Sequence, residues 1–313
     1  MEKELTIIMP VYNVKQYIGQ CIQSLMEQTW SNFFCYIVDD GCKDESIDIA
    51  QSMIVHDDRF KILHKENGGL SDARNYALAY VTTPYVTFID SDDYLPNDHY
   101  QKMMNYIYDG CDLVVCDVHY CFEDKSKNYR MAGLSSWKSK DRNHLGLLSP
   151  MFAWNKIYKS EFFTQLNLRY PLGLWYEDIP VSTLIFALAK KIGYCNDTVV
   201  FYRQRQGSIM SETKTERVGE IFTILSLVRA NFDKYGLSKD FHDELEYLHI
   251  EHLRLYGMFR FLRNDHKQKW LQLSDETLQK YYPTYKLNAY LKNLPLKYRL
   301  FIKYTHLLKG VVR

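Results

Sequence analysis

Short apolar segments alternate with helix-like segments over residues 5–93. The predicted strands are Leu5–Met9, Phe33–Val38, Phe60–Leu63 and Tyr85–Ile89. The predicted helices between them are Val14–Gln28, Ile47–Val55 and Asp72–Tyr80. In the fourth strand Val86, Phe88 and Ile89 suit a strand that is covered on both faces. The alternation predicts an α/β fold with a mostly parallel, Rossmann-like sheet and right-handed crossovers.

Polar residues of types that bind nucleotides follow each predicted strand. They are Asn13, Asp39 with Asp40, Asn67, and Asp90 with Asp92. Because the carboxyl ends of parallel strands share one edge, we expect these residues to line one cleft. The motifs G-x-G-x-x-G and G-x-x-x-x-G-K-[ST] are absent from the sequence, so the predicted nucleotide site is of another kind.

Asp90, Asp92 and Asp93 repel one another unless a positive charge lies among them. Their oxygens suit Mg²⁺ or Mn²⁺, which usually shares its coordination with substrate phosphates. The alternative is an acidic loop in which Asp93 caps a helix over Leu95–Tyr108.

The composition excludes several classes of protein. Apolar residues make up 46% and charged residues 25% of the 313-residue chain, as in ordinary globular proteins. A net charge of +1 argues against a nucleic-acid partner. The seven cysteines form no C-x-x-C pair, which argues against zinc and favours a reducing cytosol. No signal peptide or membrane-spanning run is visible, so we expect a cytoplasmic protein.

Seven motifs occur in order between residues 4 and 210. They are Pro10-Val11-Tyr12-Asn13; Val38-Asp39-Asp40-Gly41 with Asp44 and Ser46; Asn67-Gly68-Gly69-Leu70-Ser71 with Ala73-Arg74-Asn75; Asp90-Ser91-Asp92-Asp93; Trp154-Asn155-Lys156; Trp175-Tyr176-Glu177-Asp178; and Tyr202-Arg203 with Arg205, Gly207 and Ser208. In order and spacing the set resembles the family 2 glycosyltransferases, which have the GT-A fold. Cys42 is one departure, because the family more often has serine there, and a small side chain should be tolerated.

The resemblance implies transfer of a sugar from a nucleoside diphosphate donor to an acceptor hydroxyl. The residues it implies in donor binding are Pro10, Tyr12, Asn13, Asp40, Asn67, Asp72, Arg74, Asp90, Ser91, Arg203, Arg205 and Ser208. A carboxylate at Asp40 can accept the imide N–H of uracil, which favours a UDP-sugar. Asp90-Ser91-Asp92 matches the family's D-x-D motif for Mn²⁺ or Mg²⁺, with Asp92 the direct ligand and Asp90 nearer the ribose. Arg203, Arg205 and Ser208 are expected to close over the diphosphate.

The resemblance also implies the chemistry of the acceptor side. Asp178 matches the catalytic base of an inverting displacement, and Glu177 is the second candidate. Trp154 and Trp175 are expected to form a wall for a sugar ring, and Asn155 and Glu177 to contact the acceptor.

Five of the motif residues also have structural alternatives, and for Trp154 and Trp175 the alternative is core packing. Asp39 could hold its own loop through backbone hydrogen bonds, and Arg74 could be a partner of Asp90 or Asp40. Lys156 is expected to be a solvated or structural lysine.

From these motifs we predict a catalytic domain over residues 1–210 and a helical C-terminal region over 211–313. Within the latter, helices are expected over Val218–Tyr235 and Phe241–Arg263. Residues 277–313 contain no acidic residue and eight basic ones among apolar ones, a pattern typical of helices on anionic membrane surfaces. The alternatives are a packed helix with a solvated basic face or a homo-oligomer contact. Membrane contact would suit a lipid-linked acceptor at the inner face of the plasma membrane.

The predicted function is therefore a metal-dependent, inverting glycosyltransferase that uses a UDP-sugar to extend a surface polysaccharide, teichoic acid or glycoprotein glycan. One rival is a sugar-nucleotide nucleotidyltransferase, which needs a basic, glycine-rich N-terminal loop, whereas Pro10–Tyr17 offers only Lys15. The other is a non-catalytic glycan-binding or partner subunit, which predicts loss of the D-x-D motif or Asp178.

Overall fold

A computed structural model describes residues 2–137, 141–205 and 213–304 of the chain. Its centre is a sheet of eight strands in the order β3-β2-β1-β4-β7-β5-β6, with β8 paired to β5. The strands are β1 Leu5–Val11, β2 Phe33–Asp39, β3 Phe60–His64, β4 Tyr85–Phe88, β5 Leu113–Cys121, β6 Tyr129–Met131, β7 Lys156–Lys159 and β8 Ile192–Arg203. Every residue of β1 is buried, as expected for a central strand that has helices on both faces.

Most strands of the sheet point the same way. Strands β1 to β4 pair in parallel, and β5 pairs in parallel with β8. Strands β6 and β7 run against their neighbours. The carboxyl ends of β1, β2, β3 and β4 therefore lie at one edge, and the predicted mostly parallel α/β sheet is confirmed.

Seven α-helices accompany the sheet in the described part of residues 1–205. They are α1 Ile18–Met26, α2 Ser46–Ile54, α3 Leu70–Leu78, α4 His99–Tyr108, α5 Arg142–Leu147, α6 Glu161–Thr164 and α7 Asp178–Leu188. The first turn of α7 carries Asp178, so the positive end of the helix dipole faces this carboxylate.

The alternative in which Asp93 caps a helix from Leu95 is wrong. Helix α4 begins only at His99, since Pro96 disfavours helical geometry in the residue before it. The carboxylate of Asp93 is buried instead, and its Oδ1 accepts a hydrogen bond from the backbone N–H of Arg203 at 2.8 Å.

The region after residue 212 is helical, as predicted. It contains α8 Glu220–Lys234, α9 His242–Ile250, α10 Tyr256–Leu262, α11 Lys267–Tyr281 and α12 Leu296–Tyr304. The prediction of one helix over Phe241–Arg263 is wrong, because a turn of π-helix over Glu251–Leu255 separates α9 from α10. The predicted boundary between residues 210 and 211 lies outside the described residues.

This region packs directly on the α/β part of the chain. Glu220 of α8 accepts a hydrogen bond from the backbone N–H of Trp175 at 2.6 Å. Glu244 of α9 lies 2.8 Å from the Nδ1 atom of His144, and both side chains are buried. The helical region is thus joined to the segment that carries Glu177 and Asp178.

The basic C-terminal segment is partly packed and partly exposed. Tyr290, Leu291 and Ile302 are buried, whereas Leu296 and Leu300 of α12 are 64% and 45% exposed. In the described portion of the chain no helix is long and apolar enough to cross a membrane. Lys309 and Arg313, part of the predicted basic face, lie outside the described residues.

Candidate active site

The ends of β2 and β3 are joined through the carboxylate of Asp40. Its Oδ1 accepts hydrogen bonds from Lys65 Nζ at 2.6 Å and the Gly68 backbone N–H at 2.9 Å. Its Oδ2 accepts from the Gly69 backbone N–H at 2.8 Å and the Asn67 side-chain amide at 3.2 Å. Asp40 therefore stabilises the Asn67–Gly69 loop, and its assignment to uracil stays a prediction.

Lys65 connects this loop to the start of α3. Its Nζ lies 2.6 Å from Asp72 Oδ2 as well as 2.6 Å from Asp40 Oδ1. A Cβ atom at Gly68 would lie 2.1 Å from the same Asp72 oxygen, so a larger residue there would displace the Asp72 side chain. The sequence analysis did not predict a role for Lys65, although this basic residue directly follows β3 at the edge where the acids lie.

The loop after β1 is fixed by its own side chains. Asn13 has a left-handed backbone with φ of +52°, and its Oδ1 accepts from the Lys43 backbone N–H at 2.8 Å. Asp39 accepts from the Cys42 backbone N–H at 2.9 Å, which supports its predicted structural role. Pro10 is buried at the end of β1, and Tyr12 is 46% exposed beside it. Pro10, Tyr12 and Asn13 thus lie at the same edge as Asp40.

Arg74 is the centre of the candidate active site. Its side chain is 1% exposed, and it contacts carboxylates from two distant parts of the chain. Its Nη2 donates to Asp90 Oδ1 at 3.0 Å. Its Nη1 donates to Glu177 Oε1 at 3.0 Å and to Asp178 Oδ1 at 2.7 Å. The predicted pairing of Arg74 with Asp90 is confirmed, whereas the pairing with Asp40 is wrong.

The environment raises the pKa of two of these carboxyl groups. Burial raises the pKa of Asp90 to about 6, with the Arg74 charge opposing the effect. Burial and then the charge of Asp178 raise the pKa of Glu177 to about 7. Asp178 is held on its other oxygen too, because Oδ2 accepts from the Ala153 backbone N–H at 3.1 Å. The two candidate bases therefore lie side by side in different environments.

Two arginines from the end of β8 cover the acidic loop. Arg205 Nε donates to Asp92 Oδ2 at 2.6 Å, and Arg203 Nε donates to the Asp92 carbonyl at 2.8 Å. Both guanidinium groups lie over the ring of Tyr17, at 5.0 Å for Arg203 and 5.6 Å for Arg205. Ser91 is buried in the same loop. Ser208, the third member of the predicted clamp, lies outside the described residues.

The acidic loop offers the type of ligand that a hard divalent cation requires. Among the described residues Asp90 Oδ2 and Asp92 Oδ1 accept no hydrogen bond, and Asp93 Oδ2 is buried without a partner. The described ranges contain no ready-made group of three metal ligands. The residues therefore fit Mg²⁺ or Mn²⁺ if substrate oxygens complete the coordination and Arg205 shares Asp92.

The predicted acceptor residues have unequal positions. Trp154 is 5% exposed and stacks on Phe152 at 4.5 Å between ring centroids. Trp175 is 9% exposed, and the guanidinium groups of Arg217 and Arg260 lie 4.8 and 5.5 Å from its ring centroid. Their role as a sugar-binding wall stays a prediction.

The prediction that Asn155 contacts the acceptor is not supported by its position. Its side chain is completely buried. The amide donates to the Cys116 carbonyl at 2.8 Å, and its oxygen accepts from Lys156 Nζ at 2.7 Å. Asn155 links β7 to β5 because the polar side chain satisfies a backbone group inside the sheet.

Lys156 is structural, and the alternative of a solvated lysine is wrong. It is 1% exposed, and its Nζ also donates to the carbonyls of Phe152 at 2.6 Å and Pro150 at 3.2 Å. Burial lowers the pKa of Lys156 to about 7. It fixes the segment that presents the Ala153 N–H to Asp178.

A family model described as glycosyl transferase family 2 matches residues 6–167, just over half of the chain. The chain belongs to this family. The resemblance to the family 2 glycosyltransferases that was inferred from the motifs is confirmed. It is 31% identical to glycosyltransferase GlyA of Streptococcus pneumoniae over 233 residues, which are 69% of this chain. The chain spans only 33% of the length of GlyA.

Solved structures support the GT-A fold. S. aureus TarS 1–349 in complex with UDP-GlcNAc matches with a TM-score of 0.76 and 18% identity, over 97% of this chain and 92% of that one. The mannosyltransferase PcManGT from Pyrobaculum calidifontis in complex with GDP-Man and Mn²⁺ matches with a TM-score of 0.57 and 15% identity. The latter match covers 99% of this chain and 88% of that chain. At these identities the matches concern the fold.

Proposed function

We propose that this glycosyltransferase moves a sugar, with inversion, from a UDP-sugar to a hydroxyl group of a growing bacterial glycan. The acceptor class comprises surface polysaccharide, teichoic acid and glycoprotein glycans. The observation that carries the proposal is the grouping of Asp90, Glu177 and Asp178 around the buried Arg74. This grouping brings the D-x-D loop next to the Glu177-Asp178 pair. Activation of the donor and deprotonation of the acceptor must occur close together, and this arrangement allows both.

The donor side is proposed to use the loops at the carboxyl edge of the sheet. Pro10, Tyr12 and Asn13 with the Asp40 loop would hold the nucleoside, and UDP is favoured by the Asp40 carboxylate. Arg203 and Arg205, which already lie on the acidic loop, would hydrogen-bond the diphosphate. A Mn²⁺ or Mg²⁺ ion held by Asp92 and Asp90 would, when bound, offset the charge that develops on the leaving group.

Asp178 is the proposed base. Arg74 and the Ala153 N–H hold its two oxygens, so the carboxylate is oriented before substrate arrives. Asp178 would accept the proton of the acceptor hydroxyl while that oxygen attacks the anomeric carbon from the face opposite the UDP group. Glu177 is the second candidate, and its raised pKa, about 7, is in the range that suits a base at neutral pH.

A panel of UDP-, GDP- and dTDP-sugars tests the proposal, each incubated with Mn²⁺, with Mg²⁺ and with chelator. We expect metal-dependent release of UDP from one or a few UDP-sugars and none from the other nucleotides. Release that persists in chelator would contradict the metal requirement. Calorimetric titration with UDP and Mn²⁺ covers the case in which the acceptor is missing. Absence of binding there would refute the proposed function.

We further propose that the enzyme works in the cytoplasm, at the inner face of the plasma membrane, on a lipid-linked acceptor. The support is the exposed apolar pair Leu296 and Leu300 of α12 beside the basic residues Lys297, Arg299 and Lys303. A homo-oligomer contact through the same surface is the competing explanation.

A further inference from the structure

A continuous row of aromatic side chains leads away from the acidic loop across the face of β8, β5 and β6. Tyr202 packs against Trp154 at 5.0 Å and Phe152 at 6.1 Å on one side and against Tyr120 at 5.1 Å on the other, between ring centroids. Tyr120 stacks on Tyr129 at 4.5 Å with an interplanar angle of 11°.

The sheet places these rings in register. Tyr120 of β5 pairs with Tyr202 of β8 on one side and with Tyr129 of β6 on the other. Directly paired residues have side chains on the same face of a sheet. The three tyrosines therefore form one surface, which begins at the acidic loop. Burial raises the pKa of Tyr202 to about 12, and the negative charge of Asp93 is the second cause.

The C-terminal region adds a fourth tyrosine near this surface. Tyr256, the first residue of α10, is 69% exposed, and its hydroxyl interacts electrostatically with the hydroxyls of Tyr120 and Tyr129. Tyr129 is itself 48% exposed. We call the four residues Tyr120, Tyr129, Tyr202 and Tyr256 the tyrosine platform.

A carboxylate without a partner lies beside the platform. Glu251 begins the π-helical turn, and its carboxylate makes no hydrogen bond or ion pair with another described residue. Burial raises the pKa of Glu251 to about 7. Burial and then the charge of Glu251 raise the pKa of Tyr256. The ring of the next residue, His252, lies 6.4 Å from the ring of Tyr176, measured between centroids. Tyr176 immediately precedes Glu177 in the chain. One turn of π-helix, a feature frequent at functional sites, thus connects the platform to the catalytic loop.

We infer that the tyrosine platform, with Glu251 at its outer end, binds the carbohydrate chain of the acceptor over more than one sugar unit. The inference rests on the proposed function and adds that the acceptor is an oligosaccharide or longer. Tyrosine rings offer an apolar face to the C–H face of a pyranose, and their hydroxyls can hydrogen-bond the sugar hydroxyls. Glu251 supplies an acceptor group of the kind that fixes orientation in such sites. A lipid chain would need neither the hydroxyls nor the carboxylate.

The test is binding of a panel of trisaccharides and the matching monosaccharides. The panel contains α- and β-linked glucose and galactose and their N-acetyl forms, measured by calorimetry in the presence of UDP and Mn²⁺. We expect at least one trisaccharide to bind more tightly than its monosaccharide. Tyr129→Ala should weaken the binding of that trisaccharide about 3- to 10-fold, and the double variant Tyr129→Ala/Tyr256→Ala should weaken it roughly 10- to 100-fold.

Two further variants keep the result interpretable. Tyr129→Phe retains the ring and should retain most of the affinity. Tyr80→Ala is the matched control, because Tyr80 is 41% exposed and packs on two other tyrosines away from the platform. It should bind the trisaccharide as the wild type does.

The outcomes separate this inference from the proposed function. If UDP binds and no trisaccharide does, the extended acceptor site is refuted and the proposed function stands. The inference is also refuted if Tyr129→Ala binds the trisaccharide unchanged, or if monosaccharide and trisaccharide bind equally. Failure of UDP to bind refutes the proposed function itself.

Discussion

Replacement of Arg74 by methionine should destabilise the protein strongly. The guanidinium is buried and donates to Asp90, Glu177 and Asp178 at 3.0, 3.0 and 2.7 Å. Removing one partner of a buried ion pair costs about 3–5 kcal/mol, because the other charge stays buried and unpaired. With about 2.1 cal/mol/K of unfolding entropy per residue over the 313-residue chain, that cost corresponds to a Tm lower by about 5–8 °C.

The loss of stability in Arg74→Met should depend on pH, because Arg74 contacts carboxyl groups that titrate. Burial already raises the pKa of Asp90 to about 6 and of Glu177 to about 7, and loss of Arg74 raises both further. When the pKa of a carboxyl group is higher in the folded chain than in the unfolded chain, the free energy of unfolding of the protein falls as pH rises. We therefore expect the Tm difference between wild type and Arg74→Met to be larger at pH 8 than at pH 5.5.

The assay is thermal unfolding of three variants at both pH values. Arg74→Lys should fall between wild type and Arg74→Met, since one ammonium group cannot reach all three carboxylates. Lys15→Met is the control, because it removes only an exposed ion pair with Glu45 at 2.8 Å and should leave the Tm nearly unchanged. A Tm loss for Arg74→Met that is no larger than the control's, or that is equal at the two pH values, would refute the reasoning.

Three other variants test separate parts of the proposal. Asp178→Asn should keep UDP binding and lose about 10²- to 10⁴-fold in transfer rate, as measured by coupled UDP release, and near-normal transfer would remove Asp178 as the base. Asp92→Ala should weaken UDP binding at least about tenfold in Mn²⁺ and leave it unchanged in chelator, by calorimetry; equal loss in both would argue against a metal ligand. Leu296→Ser/Leu300→Ser should reduce sedimentation with phosphatidylserine vesicles at least about tenfold, and an unchanged sedimented fraction would argue for a partner or oligomer contact.

The sheet and its functional edge could be predicted because both depend on short, local sequence patterns. Each strand is a local apolar run, and the residues that follow it reach the same edge in any parallel sheet. Arg74 shows where this reasoning stops. Its partners Glu177 and Asp178 are 103 and 104 residues away along the chain, and periodicity carries no information about such a contact.

Two predictions that the structure does not support have a common physical origin. Asn155 was expected to contact the acceptor because it belongs to the Trp154-Asn155-Lys156 motif, yet inside a sheet a polar side chain can satisfy a backbone carbonyl, here that of Cys116. The break between α9 and α10 was missed because the apolar residues keep a helical spacing through Glu251–Leu255. In both cases the sequence pattern is compatible with the predicted and with the observed arrangement. The packing of the surrounding residues determines which of the two forms.

Lys156 provides a test of how the site is held in place. Its ammonium group donates to the carbonyls of Pro150 and Phe152, next to the Ala153 N–H that contacts Asp178. Lys156→Met leaves these two part-buried carbonyls and the buried side-chain oxygen of Asn155 without this donor, at up to about 1–3 kcal/mol each. We expect a clear loss of stability and a lower transfer rate with UDP affinity retained, because Asp178 loses its fixed orientation.

The pH dependence of stability distinguishes this role from simple packing. The pKa of Lys156 is lowered by burial from 10.5 to about 7, so the unfolded chain binds a proton between these values that the folded chain does not. Wild-type stability should therefore rise with pH, by about 1–2 kcal/mol between pH 7 and 9 in urea unfolding, since the carbonyl acceptors favour the charged form and reduce the full effect. Lys156→Met should lack this rise, whereas Lys159→Met, which removes a lysine that is 40% exposed on the same strand, should keep it. A rise that persists in Lys156→Met would show that another group titrates and that Lys156 does not hold the segment in the way described.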